Sequence, residues 1–305
     1  MSEMLLQTRA LTKQYGRHRA VDQVSMHIKK GAIYGFIGRN GAGKTTTLRM
    51  ISGLASPTAG EIELFGCRGR DLSRIRSRVG CLIEGPGLYG SMSARDNLKM
   101  KSMLLGVYKR GYEEELLDIV GLGGVGKKPV KRYSLGMKQR LGIALALVGE
   151  PDLLVLDEPI NGLDPQGIAE VRDTVLKLNR ERNMTILISS HILEELSKIA
   201  TDYGIIHNGT LLQELTNEEL MEKCSERLEV TLDDPEQAVP VMDRLGIKRY
   251  QVADREHIYI FERLEESAAL NMAFAKAGIP VRGISVTNGE LETYFLKLTG
   301  GGADA

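Results

Sequence analysis

The stretch Gly38–Thr45 constrains the fold of this chain more than any other part of it. It reads GRNGAGKT and directly follows the apolar run Ala32–Ile37, so a buried strand is predicted to enter a glycine-rich turn and then a helix. Glycines allow such a turn to curl and to point consecutive N–H groups inward, and the helix start adds a partial positive charge. The stretch therefore predicts a binding site for a nucleoside triphosphate.

The side chains of this loop have predicted roles in holding the phosphates. Lys44 is expected to reach the β- and γ-phosphates and to take part in catalysis, and the Thr45 hydroxyl is expected to ligate Mg²⁺. Upstream, Tyr15 lies in a polar turn, where an aromatic ring could stack on a purine base; a strand-end tyrosine without a ligand is the alternative. The loop residues predicted to contact the nucleotide are Gly38, Arg39, Asn40, Gly41, Ala42, Gly43, Lys44, Thr45 and Thr46.

Two further strands are predicted to deliver acid–base groups. The run Leu153–Leu156 is continuously apolar, as in a parallel strand covered on both faces, and it ends in Asp157 and Glu158. Asp157 is expected to hold Mg²⁺ together with Thr45, and Glu158 is expected to orient and deprotonate the attacking water. His191 follows the next apolar strand, at the predicted start of a helix, and is a catalytic candidate that could donate to the γ-phosphate or to that water.

The composition restricts the possible partners. The charges balance at 40 Lys+Arg and 40 Asp+Glu, so no net field draws the chain to nucleic acid, which is not a predicted partner. The three cysteines are widely spaced and form no CxxC or Cys/His cluster, which favours reduced thiols in the cytoplasm. The first residues lack the apolar core of a signal peptide, and no apolar run approaches the ~20 residues that span a bilayer. A membrane role therefore requires a partner.

The 305 residues suggest about two domains. Residues 1–222 are predicted to form an α/β domain that starts with antiparallel strands and carries a helical subdomain at about 85–150. A short charged linker is expected to lead into a second domain at 227–299, whose predicted elements follow the order β-α-β-β-α-β of a ferredoxin-like α+β fold. No motif in this second domain suggests chemistry, which favours an accessory or dimerisation role.

Further motifs follow in an order that is typical of one family. They are YSLGMKQR (133–140), LLVLDEP (153–159), NGLDP (161–165) and SSH (189–191). Together with Tyr15 and GRNGAGKT they resemble, in order and spacing, the ATP-binding subunit of an ABC transporter over about residues 4–220. The resemblance implies an ABC-type P-loop ATPase fold, with a mixed sheet core, an antiparallel β subdomain and a helical subdomain. It also implies ATP and Mg²⁺ as cofactors.

The same resemblance implies roles for residues far from the phosphate loop. Tyr15 would stack on adenine. Ser134, Leu135 and Gly136 would cap the γ-phosphate of a nucleotide bound on a second copy of the chain, and a serine hydroxyl with backbone N–H groups at a helix start suits an anion. Asp164 and its loop would cross the dimer axis. A head-to-tail dimer with two ATP molecules between the copies is therefore expected.

Several positions depart from the common family pattern. Leu135 and Met137 replace a glycine and a glutamine of the signature, and Arg39 stands where proline is common. Glu84 ends a strand where the family usually has glutamine. Because its carboxylate keeps a metal-binding oxygen, Glu84 is a predicted metal ligand; a neutral substitution is the alternative.

Glu84 and the turn that follows it, CLIEGPGLY (81–89), are similar to the bacitracin-export and lantibiotic-immunity subfamily. The chain end LETYFLKLTGG (291–301) is similar to it as well. This resemblance implies an ATPase that powers a separately encoded polytopic permease, for export of a peptide antibiotic in resistance or self-immunity. The subunit would lie in the cytoplasm, peripheral on the inner face of the cell membrane through the permease, with the helical insertion at 85–132 as the docking surface.

Two other functions stay open on the sequence. An ABC exporter with a different cargo fits the same ATPase motifs, because the cargo does not touch this subunit. A soluble ABC ATPase that acts on ribosomes, RNA or DNA is disfavoured, since the chain has one cassette, no coiled-coil heptads and no net positive charge.

Overall fold

The computed structural model describes residues 3–287 and 291–299. The chain divides into two compact units between Asn217 and Glu218. The first two residues of the predicted domain 1–222 and the last two residues of LETYFLKLTGG lie outside the described residues.

The first unit is built from strands and helices that alternate along most of its length. In chain order these elements are β1 (Met4–Tyr15), β2 (His18–Val24), β3 (His27–Lys29), β4 (Ile33–Ile37), α1 (Lys44–Ile51), β5 (Ala59–Leu64), β6 (Cys67–Arg68), α2 (Leu72–Ile75), β7 (Val79–Leu82), α3 (Ala94–Leu104), α4 (Tyr112–Ile119), α5 (Leu135–Ala146), β8 (Leu153–Asp157), α6 (Pro165–Arg182), β9 (Thr185–Ser190), α7 (Leu193–Ser197), β10 (Asp202–His207) and β11 (Thr210–Thr216). Helix α8 (Asn217–Lys223) follows, where the two units divide.

Two sheets form the body of the first unit. The antiparallel sheet has the order β2-β1-β5-β6, with β3 also paired to β1. The second sheet has the order β11-β10-β4-β9-β8-β7 and is parallel except for the hairpin of β10 and β11. Every residue of β4, β8 and β9 is buried, as expected of parallel strands covered on both faces. The predicted mixed sheet core and antiparallel β subdomain are confirmed.

One apolar core joins the two sheets to α1. It includes Leu6 of β1, Phe36 of β4, Leu48 of α1, Val155 of β8 and Ile206 of β10. Because α1 contributes to this core, the helix that follows the phosphate loop is fixed against the parallel sheet. The core therefore sets the position of the loop relative to the ends of the neighbouring strands.

The helical subdomain consists mainly of α3, α4 and α5, which pack on one another through buried residues such as Leu98, Leu116 and Leu141. Helix α3 starts with a capping box, in which Ser93 and Asp96 each accept a hydrogen bond from the backbone N–H of the other. This reciprocal cap satisfies two backbone donors of the first turn and fixes where α3 begins.

The second unit contains a four-stranded antiparallel sheet. Its elements are β12 (Arg227–Leu232), α9 (Val239–Leu245), β13 (Tyr250–Val252), β14 (His257–Ile260), α10 (Ser267–Lys276), β15 (Val281–Thr287) and α11 (Leu291–Leu298). The strand order is β13-β14-β12-β15. Alternate strand residues, among them Val230 and Ile258, are buried with Met242 of α9 and Phe274 of α10. One face of the sheet thus packs on these two helices.

Among the described residues, no helix is long and apolar enough to cross a membrane. Cys67, Cys81 and Cys224 are free thiols, each partly buried.

Candidate functional site

The candidate site lies at the edge of the parallel sheet where β4, β9, β8 and β7 end. Parallel pairing places Ile37 beside Ser190, and Asp157 beside Ser189. The carboxyl ends of parallel strands are where α/β proteins commonly bind ligands, because the following turns and helix starts meet there. The phosphate loop therefore lies next to the residues that follow β8 and β9.

The curl of the phosphate loop depends on glycine at two positions. A Cβ atom on Gly38 would lie 2.6 Å from the carbonyl oxygen of Ile206, and one on Gly43 would lie 2.5 Å from that of Ala20. Gly43 also has a φ of +104° directly before α1. Side chains would therefore clash with backbone at both positions, so the loop conformation predicted from the glycine pattern is required by its surroundings.

Lys44 is buried within this loop. Its ammonium donates to the carbonyl oxygens of Gly38 (2.5 Å) and Arg39 (3.2 Å) and lies 3.0 Å from Oε1 of Glu158. The contact with Glu158 is an ion pair without hydrogen-bond geometry, since this buried Oε1 accepts no hydrogen bond. One oxygen of Glu158 is thus left available as an acceptor beside a fixed cation.

Asp157 is held by a hydroxyl on each side. Thr45 Oγ1 donates to Oδ2 (2.8 Å), and Ser189 Oγ donates to Oδ1 (2.7 Å). The carboxylate is nearly fully buried at the end of β8. A threonine hydroxyl and a carboxylate oxygen in contact form an oxygen donor set of the kind that Mg²⁺ prefers.

Glu158 occupies a strained backbone position next to Asp157. Its φ is +47°, in the left-handed region that glycine favours. Its N–H donates to Oγ of Ser189 at 3.0 Å, which supports this conformation, and its Oε2 lies 2.8 Å from Nδ1 of His191. Strained residues of this kind persist where the surroundings determine them, often at functional sites. The geometry aims Glu158 between Lys44 and His191.

His191 differs from the sequence prediction in its local structure, since it does not start a helix. Helix α7 begins two residues later, at Leu193. Ser190 Oγ accepts a hydrogen bond from the N–H of Ile192 at 2.9 Å, and this local turn keeps His191 outside the helix. The imidazole is therefore carried by a turn beside Glu158.

We call Lys44, Thr45, Asp157, Glu158, Ser189 and His191 the carboxyl-edge cluster. Five of its members were sequence candidates. Ser189 was not, although it belongs to the SSH motif. It contacts both Asp157 and Glu158. The signal that could have found it is a hydroxyl at the carboxyl end of a buried strand, beside the strand that leads into two carboxylates.

Other loop residues and Tyr15 lie around this cluster. Arg39 and Asn40 are exposed, Gly41 is exposed with a φ of +81°, Ala42 is buried and Thr46 is half-buried on α1. Tyr15 stands at the turn between β1 and β2 with 47% of its surface exposed, and the Lys13 ammonium lies 5.0 Å from its ring centroid. Its ring is thus accessible for stacking.

Glu84 has a different neighbour from the one predicted. Its carboxylate forms an ion pair with Arg49 of α1. In the part of the chain that the structure describes, no hydrogen bond joins Glu84 to Thr45 or Asp157. The hydrogen bond to Glu84 raises the pKa of the Arg49 guanidinium. The role of Glu84 as a metal ligand stays a prediction, and Arg49 is a second residue that the sequence did not point to.

Ser134, Leu135, Gly136 and Asp164 form a separate group, which we call the signature cluster. Ser134 caps α5 by accepting from the N–H of Met137 (3.2 Å), and Asp164 caps α6 by accepting from that of Gly167 (3.0 Å). Leu135 is exposed, and Gly136 is buried where a Cβ would lie 3.5 Å from Cα of Gly167.

The structure does not bring the two clusters into contact within one chain. Over residues 3–287 and 291–299, no hydrogen bond or ion pair joins the signature cluster to the carboxyl-edge cluster. An ion pair between Arg140 and Glu170, at 2.9 Å, holds α5 and α6 together. The starts of the two helices lie side by side, since Gly136 packs against Gly167.

The residues at the carboxyl edge suit a nucleoside triphosphate and Mg²⁺. Phosphate oxygens can be held by the glycine turn, in which Gly38 and Gly43 have no room for a side chain, by the buried Lys44 and by the start of α1. The contacting oxygens of Thr45 and Asp157 can hold the metal.

Comparisons with known proteins show the family of this chain. The ABC transporter family profile matches residues 21–161. The chain is 45% identical over 300 residues to the bacitracin transport ATP-binding protein BcrA of Bacillus licheniformis, covering 98% of each chain. It is 47% identical over 211 residues to the lantibiotic transport ATP-binding protein SrtF of Streptococcus pyogenes, covering 69% of this chain and 90% of that one.

A solved structure of an ATP-binding subunit of an ABC transporter is 30% identical to this chain. It superposes with a TM-score of 0.63 and covers 72% of this chain and 92% of that one. The match lies in the range of a shared fold, which agrees with the sheet topology described above. The chain belongs to the ATP-binding proteins of the ABC transporter family.

Proposed function

We propose that this chain is the Mg²⁺-dependent ATPase subunit of an exporter for peptide antibiotics of the bacitracin or lantibiotic class. The single observation that carries ATP hydrolysis is the carboxyl-edge cluster, in which Lys44 and His191 both contact Glu158 beside the Thr45–Asp157 pair. The cargo class is supported by the 45% identity to a bacitracin transport ATP-binding protein over 98% of both chains.

Each residue of the carboxyl-edge cluster has a role in this proposal. Lys44 and the loop N–H groups bind the phosphates. Glu158 holds the attacking water and accepts its proton. His191 orients Glu158 through the contact of Nδ1 with Oε2, which leaves Nε2 facing away from the carboxylate. Tyr15 stacks on the adenine ring.

Thr45 and Asp157 are the proposed protein ligands of Mg²⁺, with Glu84 as a further candidate. The metal supplies charge neutralisation at the β- and γ-phosphates. Ser189 fixes the orientation of Asp157 by its 2.7 Å hydrogen bond to the other carboxylate oxygen.

The second half of the site is proposed to come from another copy of the chain. Ser134–Gly136 of one copy would contact the nucleotide held by the carboxyl-edge cluster of the other, with Asp164 near the axis between them. The support is geometric, because α5 begins with an exposed serine whose neighbouring backbone N–H groups suit an anion. Two ATP molecules would lie between two copies packed head to tail.

A groove on the helical subdomain is the proposed docking surface for the permease. Its wall consists largely of Met92, Met100, Met103 and Leu104, and it has a volume of about 530 Å³. Leu104 is 78% exposed. The adjoining cavity shares Met100 and Leu104 and reaches the turn at Gly85–Gly87, directly after Glu84. The proposed occupant is a cytoplasmic apolar helix of the permease, which would then contact the segment that leads to the nucleotide site.

Docking in this groove would place the chain at the inner face of the cell membrane. Leu104→Asp should abolish co-purification with the permease, because a charge would enter an apolar contact. Met272→Asp, an equally apolar and exposed position in the second unit, is the matched control. Unchanged co-purification of the Leu104 variant would exclude this groove as the docking surface.

Survival of cells exposed to bacitracin or to a lantibiotic tests the whole proposal. Cells that express the chain with its permease should be protected, and Lys44→Ala should remove the protection. Lys30→Ala is the matched control, since Lys30 is an exposed lysine that precedes β4, whereas Lys44 follows it. If the cells are protected against an unrelated compound but against neither peptide class, the proposed cargo is wrong, while the proposed ATPase activity still stands.

A further inference from the structure

The ion pair between Arg49 and Glu84 lies next to the proposed metal ligands. Arg49 follows Thr45 by four residues in α1, so both side chains emerge from the same face of the helix, about one turn apart. Thr45 contacts Asp157, and Arg49 contacts Glu84. One face of α1 therefore contacts the carboxyl ends of two neighbouring strands, the last residue of β8 and a residue shortly after β7.

Glu84 adds a third carboxylate to this edge of the sheet. Leu82, the last residue of β7, pairs with Leu156, so Glu84 follows β7 at nearly the level where Asp157 and Glu158 end β8. A carboxylate without a counter-charge here would repel a bound triphosphate. Arg49 supplies that counter-charge through its ion pair with Glu84.

We propose that Arg49 is a positioning residue that neutralises and orients Glu84, so that this carboxylate is tolerated beside the phosphate loop. The inference rests on the proposed function in one respect, namely that the loop binds ATP. Arg49 acts on the nucleotide through Glu84 and makes no contact with it.

The backbone around Glu84 gives this pair a second consequence. Glu84 has a φ of +63° and Gly85 a φ of +128°, so the chain turns sharply directly after the ion pair. The turn then lines the cavity that adjoins the apolar groove. By holding Glu84, Arg49 ties helix α1 to the start of the helical subdomain.

Nucleotide affinity without metal tests the charge role of Arg49 directly. The probe is a fluorescent N-methylanthraniloyl ATP in the presence of EDTA, so that no metal ligation by Glu84 enters the measurement. Arg49→Gln should weaken binding about two- to fivefold, the range expected for a partly exposed charge pair, because Glu84 is left without its counter-charge. Arg49→Lys should retain most of the affinity, and the Arg49→Gln, Glu84→Gln double variant should return to within about twofold of the unmodified chain.

Arg78 provides the matched control. It pairs with Asp152 at 2.7 Å, at the opposite ends of β7 and β8, and both side chains are about half exposed. Arg78→Gln removes the same kind of ion pair far from the phosphate loop, so the affinity should not change. Thermal melting of each variant separates a loss of folding from a loss of binding.

Two results would overturn the inference. If Arg49→Gln binds the probe as well as the unmodified chain, the pair has no charge role at the site. If the double variant binds as weakly as Arg49→Gln, Arg49 contacts the nucleotide itself and does not act through Glu84. Lys44→Ala shows whether the proposed function itself has failed. If the unmodified chain binds the probe no better than Lys44→Ala does, the loop does not bind ATP.

Discussion

The carboxyl-edge cluster and the signature cluster differ in where their side chains find hydrogen-bond and ion-pair partners. At the carboxyl edge, charged and hydroxyl side chains from two strand ends and one helix start contact one another, as the Thr45–Asp157 and Glu158–His191 contacts illustrate. In the signature cluster, Ser134 and Asp164 each accept a hydrogen bond from the first turn of their own helix. The contacts of the first cluster form within one chain. In the proposed dimer the second cluster presents its capped helix starts to the partner, so that a full site needs both clusters, from two copies.

The largest effect is expected from a substitution that removes the catalytic base at the carboxyl edge and leaves the signature cluster unchanged. Glu158→Gln removes the general base, so turnover should fall by about 10²- to 10⁴-fold while an ATP-bound dimer accumulates. Steady-state ATPase assays with size-exclusion chromatography measure both. Glu150→Gln, which alters an exposed surface glutamate paired with Lys109, should leave turnover unchanged. Hydrolysis by the Glu158 variant at a near-native rate would refute its role.

A smaller effect is expected inside the carboxyl-edge cluster at Ser189. Ser189→Ala removes the hydroxyl that fixes the orientation of Asp157. Loss of a residue that orients a metal ligand typically weakens metal affinity about 10- to 100-fold. The Mg²⁺ concentration for half-maximal turnover should rise accordingly. Ser102→Ala is the control, because this buried serine of α3 donates to the carbonyl oxygen of Leu98 and not to a carboxylate. Equal effects of the two substitutions would show that Ser189 does not act through Asp157.

Tyr15 extends the comparison to the base of the nucleotide. Loss of an aromatic stacking platform costs about 1–3 kcal/mol, so Tyr15→Ala should weaken ATP binding about 5- to 150-fold. Tyr15→Phe keeps the ring and should bind ATP as before. Equilibrium titration of both variants with ATP decides the question, and an unchanged affinity of the alanine variant would leave Tyr15 as a strand-end residue without a ligand.

The smallest effect concerns the cap at Asp164. Asp164→Ala removes the N-cap of α6 and should cost about 1 kcal/mol of unfolding free energy, whereas Asp164→Asn retains a capping oxygen. Denaturant unfolding measures this difference. If asparagine restores stability but not the ATP-dependent dimer, the Asp164 charge acts between copies. If it restores both, Asp164 acts only as a cap.

The two clusters also differ in how far the sequence predicts them. The loop and the strand ends follow from local patterns, because apolar runs ending in Asp157 or His191 place polar groups at one edge of a parallel sheet. The resemblance implies a mixed sheet core, which the structure confirms, whereas the order of the strands in that sheet comes from the structure alone. Ser189 was not singled out, because a serine in a strand gains a role only when the neighbouring strand places a carboxylate beside it.

Arg49 and Glu84 show the limit of sequence reasoning more sharply. The sequence predicts a metal ligand at Glu84 from the type of its side chain. The contact that the structure gives this carboxylate is made by an arginine 35 residues earlier in the chain, and no local pattern links the two. Charge pairs between elements that are distant in sequence depend on tertiary packing, which a single sequence does not specify.

The central claim, that one nucleotide site is built from two copies, is tested most directly by mixing two inactive variants. In a Glu158→Gln background, one chain carries Lys44→Ala and the other Ser134→Arg, and the ATP retained by the dimer is measured after size-exclusion chromatography. A mixed dimer has one doubly impaired site and one site with both clusters intact. The account predicts that the mixture retains about one ATP per mixed dimer, while neither variant alone retains any. A mixture that retains no more ATP than the separate variants would contradict it.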